Sequence, residues 1–470
     1  MVFCQIAARS TIAACFLSPA SAFILDMPHA SDERAMNAGR RVLSRIWREL
    51  GADPRLIHDA HPSDFPVPLP SRLATGDLAW ASVAAAACAA HGDATALDPH
   101  RIAAAYRSDR FLTVDGTAPP VWSPFSGFWR TLDGWVRTHG NYPHHAARLR
   151  SALGLEETAG ADHVRDALAD RTSIDAVTAI TAVGGLAVPV RVEDPAFDAV
   201  LRSRPLLDVR RLESPAAAVP RTVVSPDHPL EGIRVLDLTR VIAGPVCTRT
   251  LALLGADVLR IDPPHLAEPE WQHLDTGHGK RTALVDARSA QMHELLASAD
   301  VVVLGYRASA LDRLGLSPGD LTERYPGLLV AGLSAWGAER PTRAGFDSLV
   351  QAESGIAWVE SPDGDRPGAL PAQALDHSAG YLLAAAVITL IRRRAEEGGS
   401  WQVQTSLRRV AAELLGMPRR SEPAEEIPLV PALHTARFEV AGHALVTAAP
   451  AIPGFDFTAP RAWGEDQPRW

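Results

Sequence analysis

The sequence has few cysteines and little excess charge, and both shortages narrow what the protein can be. Its 470 residues contain four cysteines, which form no CxxC pair or regular spacing: Cys4, Cys15, Cys88 and Cys247. A disulfide framework and a structural zinc site are therefore disfavoured, and the pattern fits a reducing cytoplasm. The net charge of −9 disfavours nonspecific binding to nucleic acid or to an anionic membrane.

Common site motifs are also missing. The turn "DLTRVIAGP" has a single glycine, Gly244, where a dinucleotide fold has GxGxxG, so NAD and FAD binding are disfavoured. GxSxG is absent as well. His139, His144 and His145 in "THGNYPHH" have no carboxylate at ligand spacing, so we interpret them as surface or core histidines and expect no metal site. Cys247 is interpreted as a packing residue.

The N-terminal stretch "RSTIAACFLSPASAF" has a short apolar run before Ala20-Ser21-Ala22, a small-residue cleavage pattern. Its only positive residue is Arg9, which is little for a secretory signal. Residues 1–26 are thus a weak export signal or an extension upstream of a start at Met27, and we favour the extension. Beyond this segment no apolar run reaches the length of a membrane span.

The clearest pattern begins at "LEGIRVLDLTRVIAGP". Short apolar strands alternate with helical segments from residue 233 to "GLLVAGLSAWG", which ends at Gly337. This alternation predicts an α/β fold with an open parallel sheet that is covered on both faces. We place this domain at residues 226–420.

The first half of the chain is richer in Ala, Arg and Pro. Helices are predicted at 31–50, 76–91 and 144–154, and "AVTAITAVGGLAVPVRVED" predicts a helix, a glycine turn and a strand. A Pro-rich linker is predicted near 213–229. We therefore expect a smaller, mainly helical α+β domain at 27–225 and an irregular tail at 421–470.

One carboxylate, Asp376, lies at the N-terminal end of the apolar helix in "QALDHSAGYLLAAAVITLIRRR". Asp is a preferred N-cap, so a capping role is one interpretation. The other is a carboxylate that the helix dipole keeps ionised for use on a substrate. "GDLAWASVAAAACAA" aligns with this stretch and sets Asp77 opposite Asp376, which suggests an internal repeat.

Basic residues recur near the ends of the predicted strands. They are Arg240, Arg260, Lys280, Arg281 and Arg307. Each one alone could be solvated surface, but phosphates need cationic partners, and ligands of parallel sheets bind at the carboxyl ends of the strands. The pattern favours a phosphate-bearing ligand.

Five motifs in order resemble the class III CoA-transferases, the family of formyl-CoA and carnitine CoA-transferases. They are "LEGIRVLDLTRVIAGPVCTRTLALLGADVLRID", "GHGKRTALVDA", "GYRASALDRLGLSPGDLTERYPGLLVAGLSAWG", "GFDSLVQAESGI" and "ALDHSAGYLLAAAVITLIRRR". The similarity covers residues 228–416. The segment from "TLDGWVRTHGNYPHH" to "VGGLAVPVRVED" more loosely resembles the family's small domain, which in the family follows the nucleotide-binding domain and here precedes it.

The resemblance implies a Rossmann-like CoA-binding sheet and a CoA-transferase that moves CoA from an acyl-CoA to a carboxylic acid. It makes Asp376 the nucleophile of a covalent aspartyl intermediate and places CoA contacts at Arg240, Val241, Ala243, Lys280 and Arg307. CoA is then a substrate, and no tightly bound cofactor or metal is expected. The resemblance also implies an interlocked homodimer.

Other interpretations stay open. The family includes acyl-CoA racemases, but their histidine in "GHD" corresponds to Phe346, which cannot accept a proton. The reordered small domain leaves room for a CoA-binding protein without turnover, or for a scaffold of a partner subunit. The two unequal halves could also imitate two subunits within one monomer. Asp77 has no predicted sheet before it, so we expect it to be only a helix cap.

Overall fold

The computed structural model describes residues 37–63, 65–213, 225 and 227–470. The predicted segment 1–26 and most of the predicted linker 213–229 lie outside these ranges. The helices are α1 (Ala38–Leu50), a 3-10 turn (Pro54–Ile57), α2 (Thr75–His91), α3 (Pro99–Tyr106), α4 (Ser108–Phe111), α5 (Pro143–Leu153), α6 (Ala161–Ala169), α7 (Ser173–Ala182), α8 (Pro195–Arg202), α9 (Ala243–Leu253), α10 (Glu270–Thr276), α11 (Ala290–Ala297), α12 (Ala308–Leu314), α13 (Pro318–Arg324), α14 (Asp347–Ser354), α15 (Ile356–Val359), α16 (Ala374–Glu397), α17 (Leu407–Leu415) and α18 (Pro431–His434).

The strands form one large sheet and two small ones. They are β1 (Thr113–Val114), β2 (Phe128–Thr131), β3 (Gly134–Thr138), β4 (Ala187–Pro189), β5 (Asp208–Leu212), β6 (Arg234–Leu238), β7 (Asp257–Asp262), β8 (Lys280–Leu284), β9 (Val301–Leu304), β10 (Leu329–Ser334), β11 (Ser400–Ser406), β12 (Thr435–Val440) and β13 (His443–Ala448). The large sheet has seven strands in the order β5-β11-β10-β9-β6-β7-β8. Its strands run parallel except for β5, which pairs antiparallel with β11 at one edge. The predicted α/β fold with a mostly parallel sheet is confirmed.

Both faces of this sheet are buried. Successive residues of a strand point to opposite faces, and Val235 belongs to one hydrophobic cluster while Leu236 belongs to another. Val301 and Val302 on β9 divide in the same way. This explains why the strands read as continuous apolar runs rather than as alternating patterns.

Helix α16 is the central helix of the larger cluster. By length and composition it could cross a membrane, yet its most apolar stretch is wholly buried in the protein, as in a core helix. It packs against α2 and α9. The approach to α9 is so close that a Cβ added at Gly380 would lie 2.6 Å from the carbonyl oxygen of Ala243.

The first half of the chain contributes to two regions. Strands β2, β3 and β4 form an antiparallel sheet that packs with α5, α6 and α7 around a core of its own. By contrast, the buried side chains of α1, α2 and α3 join the same hydrophobic cluster as α16. Residues Asn37–Trp470 cluster as one unit, and the division into domains near residue 226 stays a prediction.

The tail predicted to be irregular contains regular structure. Strands β12 and β13 pair antiparallel, and β1 from the first half of the chain pairs with β13. They are joined at Ala441 and Gly442, both with positive φ (51° and 84°), as a tight hairpin turn of this hand requires. Asn-Gly or Asp-Gly is the usual signal for this turn, so "AG" gave little indication of it.

Candidate functional site

The candidate site begins at the point where the strand order of the large sheet reverses. Strands β6, β7 and β8 succeed one another in one direction, and β9, β10 and β11 in the other. Ligands of open α/β sheets bind in the crevice beyond the carboxyl ends of the strands at such a point. The loops after β6 and β9 meet there. They approach so closely that a Cβ added at Gly305 would lie 3.2 Å from the Cβ of Thr239.

Four of the residues predicted to contact CoA lie in these loops or next to them. They are Arg240, Val241, Ala243 and Arg307. Val241 has a φ of +75°, a strained conformation for a β-branched residue, and its amide donates to the Glu268 carboxylate at 2.7 Å. Arg307 is exposed, whereas Arg240 is half-buried and stacks on the ring of Tyr142 at 5.1 Å.

Helix α5 brings a third arginine, Arg148, to this crevice. Burial, His144, Arg148, Arg307 and Arg240 lower the pKa of His145 to about 3, so these side chains lie close together. The rings of His144 and His145 are 4.1 Å apart in the first turn of α5. A helix N-terminus surrounded by arginines suits an anion. We call Arg148, Arg240, Arg307 and the first turn of α5 the basic crevice.

Lys280, the fifth residue predicted to contact CoA, is placed differently. Its ammonium group is buried and donates to Asp237 Oδ2 and to the Pro245 carbonyl, each at 3.0 Å. Arg260 is likewise buried and paired with Asp262 and Glu268. Both side chains are bonded to partners inside the fold and belong to its core.

Asp376 is the third residue of α16 and not its N-cap. The cap position is Gln373, which makes no side-chain capping hydrogen bond, so the capping interpretation of Asp376 is wrong. Asp77 is also the third residue of its helix, α2, whose cap position is Ala74 without a capping bond. The predicted capping role of Asp77 is therefore wrong too, although the two aspartates occupy equivalent helical positions.

The carboxyl groups of Asp376 and Asp347 form a buried pair. Asp347 opens α14, and its Oδ2 accepts the backbone N–H of Asp376 at 2.9 Å. Its carboxylate also accepts hydrogen bonds from the Gln351 side chain and the Leu375 amide. Burial and the nearby Asp347 charge raise the pKa of Asp376 well above its usual range.

Two expectations change as a result. Burial raises the pKa of Asp347 to about 6, while its hydrogen bonds favour the charged form, so Asp376 is the member of the pair that keeps a proton more strongly. Burial and the second carboxylate therefore outweigh the helix dipole that was expected to keep Asp376 ionised. The amides of Leu375 and Asp376 are also already bonded to Asp347, so they are not free to stabilise an oxyanion.

Asp376 lines a small cavity of about 40 Å³, here called the Asp376 cavity. Its lining also includes Asp347, Phe346, His139, His377, Tyr106, Asn141, Val241, Gln272 and Asp275. His139 stacks on Phe346 with ring centroids 3.8 Å apart and planes at 5°. Burial, with smaller contributions from His145 and Arg137, lowers the pKa of His139 to about 3, so its imidazole is neutral.

His139 shows what the sequence interpretation missed. It was interpreted as a surface or core histidine, and it is buried, but its Nδ1 has no hydrogen-bond partner and its ring borders the cavity of Asp376. It follows β3, far from Asp376 in the sequence. Only the packing of the small antiparallel sheet against α14 brings them together. Among the described residues no His, Cys, Asp and Glu group could hold a metal ion.

Comparison with known proteins identifies the segment that carries Asp376. Residues 230–424 match the family described as CoA-transferase family III. A probable fatty acyl-CoA transferase of Mycobacterium tuberculosis, Rv3272, is 34% identical over 211 residues, or 40% of this chain and 53% of the relative. Human succinyl-CoA:glutarate CoA-transferase is 31% identical over 170 residues, or 32% of this chain and 39% of the relative. The predicted resemblance to class III CoA-transferases is confirmed for residues 230–424.

Solved structures match a similar share of the chain. A crystal structure of Rv3272 matches with 32% identity and a TM-score of 0.37, over 40% of this chain and 57% of the other. A CaiB/BaiF family protein from Brucella suis matches with 26% identity and a TM-score of 0.35. The chain thus spans about half the length, or less, of the curated relatives it matches.

Proposed function

We propose that the protein transfers CoA from an acyl-CoA to a carboxylic acid, with Asp376 as the nucleophile. The observation that carries the proposal is the Asp376 carboxyl group on the wall of a cavity beside the switch point of a family III sheet. Val241 lines this cavity and also belongs to the loop that opens the basic crevice. A thioester at Asp376 and a nucleotide in the crevice are therefore neighbours.

The sheet supports a Rossmann-like CoA site. The order β8-β7-β6-β9-β10-β11 is that of a doubly wound nucleotide-binding sheet. The diphosphate and ribose phosphate of CoA need several cationic groups. Arg240, Arg307 and Arg148 supply them, together with the N-terminus of α5.

In the first step Asp376 gives its proton to Asp347, the carboxylate paired with it. The Asp376 carboxylate then attacks the thioester carbonyl, a C–O bond forms, the C–S bond breaks, and a mixed anhydride and CoA thiolate result. The thiolate attacks the aspartyl carbonyl, which gives an aspartyl-CoA thioester and frees the donor acid. The acceptor carboxylate repeats the two steps in reverse and leaves as the new acyl-CoA.

Each attack generates an oxyanion, which needs a hydrogen-bond donor. Since the helix amides are bonded to Asp347, the donor must come from the other walls of the cavity. The neutral imidazole of His139 and the carboxamide of Gln272 both line it. His139 belongs to the small antiparallel region, so the reordered small domain contributes to the site in this proposal.

The test is transfer by the purified full-length chain from a panel of acyl-CoAs to carboxylic acids. With ¹⁸O-labelled acceptor we expect label in Asp376 and a CoA adduct on the peptide that contains it, both detected by mass spectrometry. Asp376→Asn should abolish transfer, whereas Asp77→Asn, at the same position of α2, should retain it. Free-CoA binding with neither adduct nor oxygen exchange across the panel would instead support a CoA-binding protein without turnover.

A further inference from the structure

Arg137 on β3 is a desolvated cation without a hydrogen-bonded partner. Its Nε is buried and makes no hydrogen bond. Its guanidinium stacks over the rings of Phe128 at 4.7 Å and Trp122 at 5.3 Å. Burial lowers the pKa of Arg137 to about 10, so the side chain remains charged at neutral pH. A half-buried cation whose Nε has no hydrogen-bond partner can bind a ligand of opposite charge.

The guanidinium borders a cavity of about 570 Å³, here called the Arg137 cavity. Ser348 lines it as well, and its buried Oγ also has no hydrogen-bond partner. Arg110 lies on the same wall. A guanidinium beside a hydroxyl without a partner suits a planar anion such as a carboxylate.

The two cavities adjoin. Asp109, Val121, Trp122 and Gln373 line both the Arg137 cavity and the Asp376 cavity. The Asp376 cavity, at about 40 Å³, is much the smaller of the two, so a substrate that reacts there can extend into the Arg137 cavity.

Other charges do not neutralise Arg137 fully. Asp347 interacts with it electrostatically, but its carboxylate is hydrogen-bonded to Gln351 and to the amides at the start of α16. Asp109 also lines the cavity, and burial and Asp275 raise the pKa of its carboxyl group. Arg110 lies on the same wall and adds a second positive charge.

We propose that Arg137 and Ser348 bind the second carboxylate of a short dicarboxylic acid whose other carboxyl group reacts at Asp376. The proposal rests on the proposed function and adds the substrate class. The CoA moiety occupies the basic crevice, which lies beyond Val241, so Arg137 is left for the acid. A monocarboxylic acid of equal length leaves Arg137 without a partner and binds less well.

The experiment compares matched acceptors of the full-length chain, adipate against hexanoate and succinate against butyrate. We expect the wild type to favour at least one diacid over its monoacid partner by tenfold or more in kcat/KM. Arg137→Met should remove this preference, mainly by raising KM for the diacid more than KM for the monoacid. Arg137→Lys keeps the charge and should retain part of the preference. Arg130→Met, at an exposed arginine of the neighbouring strand β2, is the matched control and should behave as wild type.

Three results would overturn the assignment. The first is equal use of diacids and monoacids by the wild type. The second is an unchanged preference in Arg137→Met. The third is weaker binding of free CoA to Arg137→Met, which would assign the arginine to a CoA phosphate.

Calorimetric titration of the diacid into wild type and Arg137→Met tests the subsite without turnover. If Arg137→Met loses diacid binding, the subsite is supported even where no transfer to any acid is found. The binding measurement therefore distinguishes failure of this inference from failure of the proposed function.

Discussion

At the scale of single residues, the pairing of Asp347 with Asp376 governs the candidate nucleophile. Two carboxyl groups that are buried side by side cannot both ionise easily, and one of them keeps a proton well above the usual range of aspartate. The hydrogen bonds around Asp347 assign this proton to Asp376 at rest. Any ligand that draws the proton away, or brings positive charge to the cavity, activates Asp376.

The pair should also make stability depend on pH. The raised pKa values mean that, above about pH 4, this pair binds more protons in the native protein than in the unfolded chain, so its contribution to the free energy of unfolding falls as pH rises. Asp376→Asn removes the part of this effect that belongs to Asp376 and should exceed the wild type in stability at pH 8. The advantage should shrink towards pH 4. Urea unfolding at several pH values measures it.

The exposed Asp166→Asn is the control for the exchange of a carboxyl group for an amide. An Asp376→Asn variant whose stability follows the pH dependence of the wild type would show that Asp376 is ionised at rest.

Phe346 leads to a prediction about the reaction that the protein should not catalyse. The ring stacks on His139 and cannot accept a proton, and His139 is too weakly basic to replace the missing histidine. In D₂O we therefore expect no deuterium at the α-carbon of a 2-methylacyl-CoA at times when CoA transfer is complete, as measured by mass spectrometry. Exchange that Asp376→Asn abolished would restore the racemase interpretation.

The residue scale also shows the limit of the sequence. Asp376 could be identified because it lies in a run of ordered family motifs. Arg137 and His139 could not, because they lie on β3 and just after it, more than two hundred residues before Asp376, and become its neighbours only through tertiary packing. The assignment of Lys280 to CoA also lacked knowledge of tertiary packing. Its hydrogen-bond partner Asp237 lies on another strand, so the sequence does not reveal this contact.

At the scale of helices and strands, local sequence patterns were sufficient to predict most of the buried elements of the large sheet. Strands β6 to β10 and α16 were predicted because burial on both sides requires continuous apolar runs. Strand β11, "SWQVQTS", was missed because polar residues interrupt its apolar run. The β2–β3 hairpin and strand β5 were missed. Their residues are partly exposed and carry arginines, as in "FWRT" and "DVRRL", so the sequence has no clear apolar signal there.

The contact between α16 and α9 depends on the absence of a side chain at Gly380. A Cβ there would lie 2.6 Å from the Ala243 carbonyl oxygen and 2.8 Å from Val246 Cβ, so Gly380→Ala must push the two helices apart. We expect a loss of ~1–3 kcal/mol in the free energy of unfolding, as for other overpacked cores. Because Ala243 opens the helix beside Val241, transfer activity should also fall.

Gly319→Ala is the matched control for this prediction. Gly319 is also helical, in α13, but the nearest atom to an added Cβ is Ser317 Oγ at 3.9 Å. Alanine should stabilise that helix by up to ~1 kcal/mol. Equal effects of the two substitutions in chemical denaturation would contradict the proposed close contact.

At the scale of the whole molecule, the chain pairs its two Asp-bearing helices internally. α2 and α16 pack against each other, and Asp77 and Asp376 hold equivalent positions in them. This arrangement favours the alternative in which two unequal halves imitate two subunits, over the interlocked homodimer that the family resemblance implies.

We therefore expect an active monomer, and light scattering coupled to size exclusion should give a mass near 50.3 kDa over a range of concentrations. The same fractions should carry the transfer activity. Activity confined to a fraction of twice that mass would favour the homodimer.

The burial of α2 has a consequence for how the protein is made. This helix has almost no polar face, and its partner α16 lies roughly 280 residues later, so at about 5–20 residues per second it leaves the ribosome some 15–60 s before that partner exists. Throughout that interval the described elements that can cover this apolar helix are α1, the 3-10 turn and α3. Production of the intact chain should therefore depend on chaperones that hold nascent segments, more than it would if the sheet and α16 were translated first.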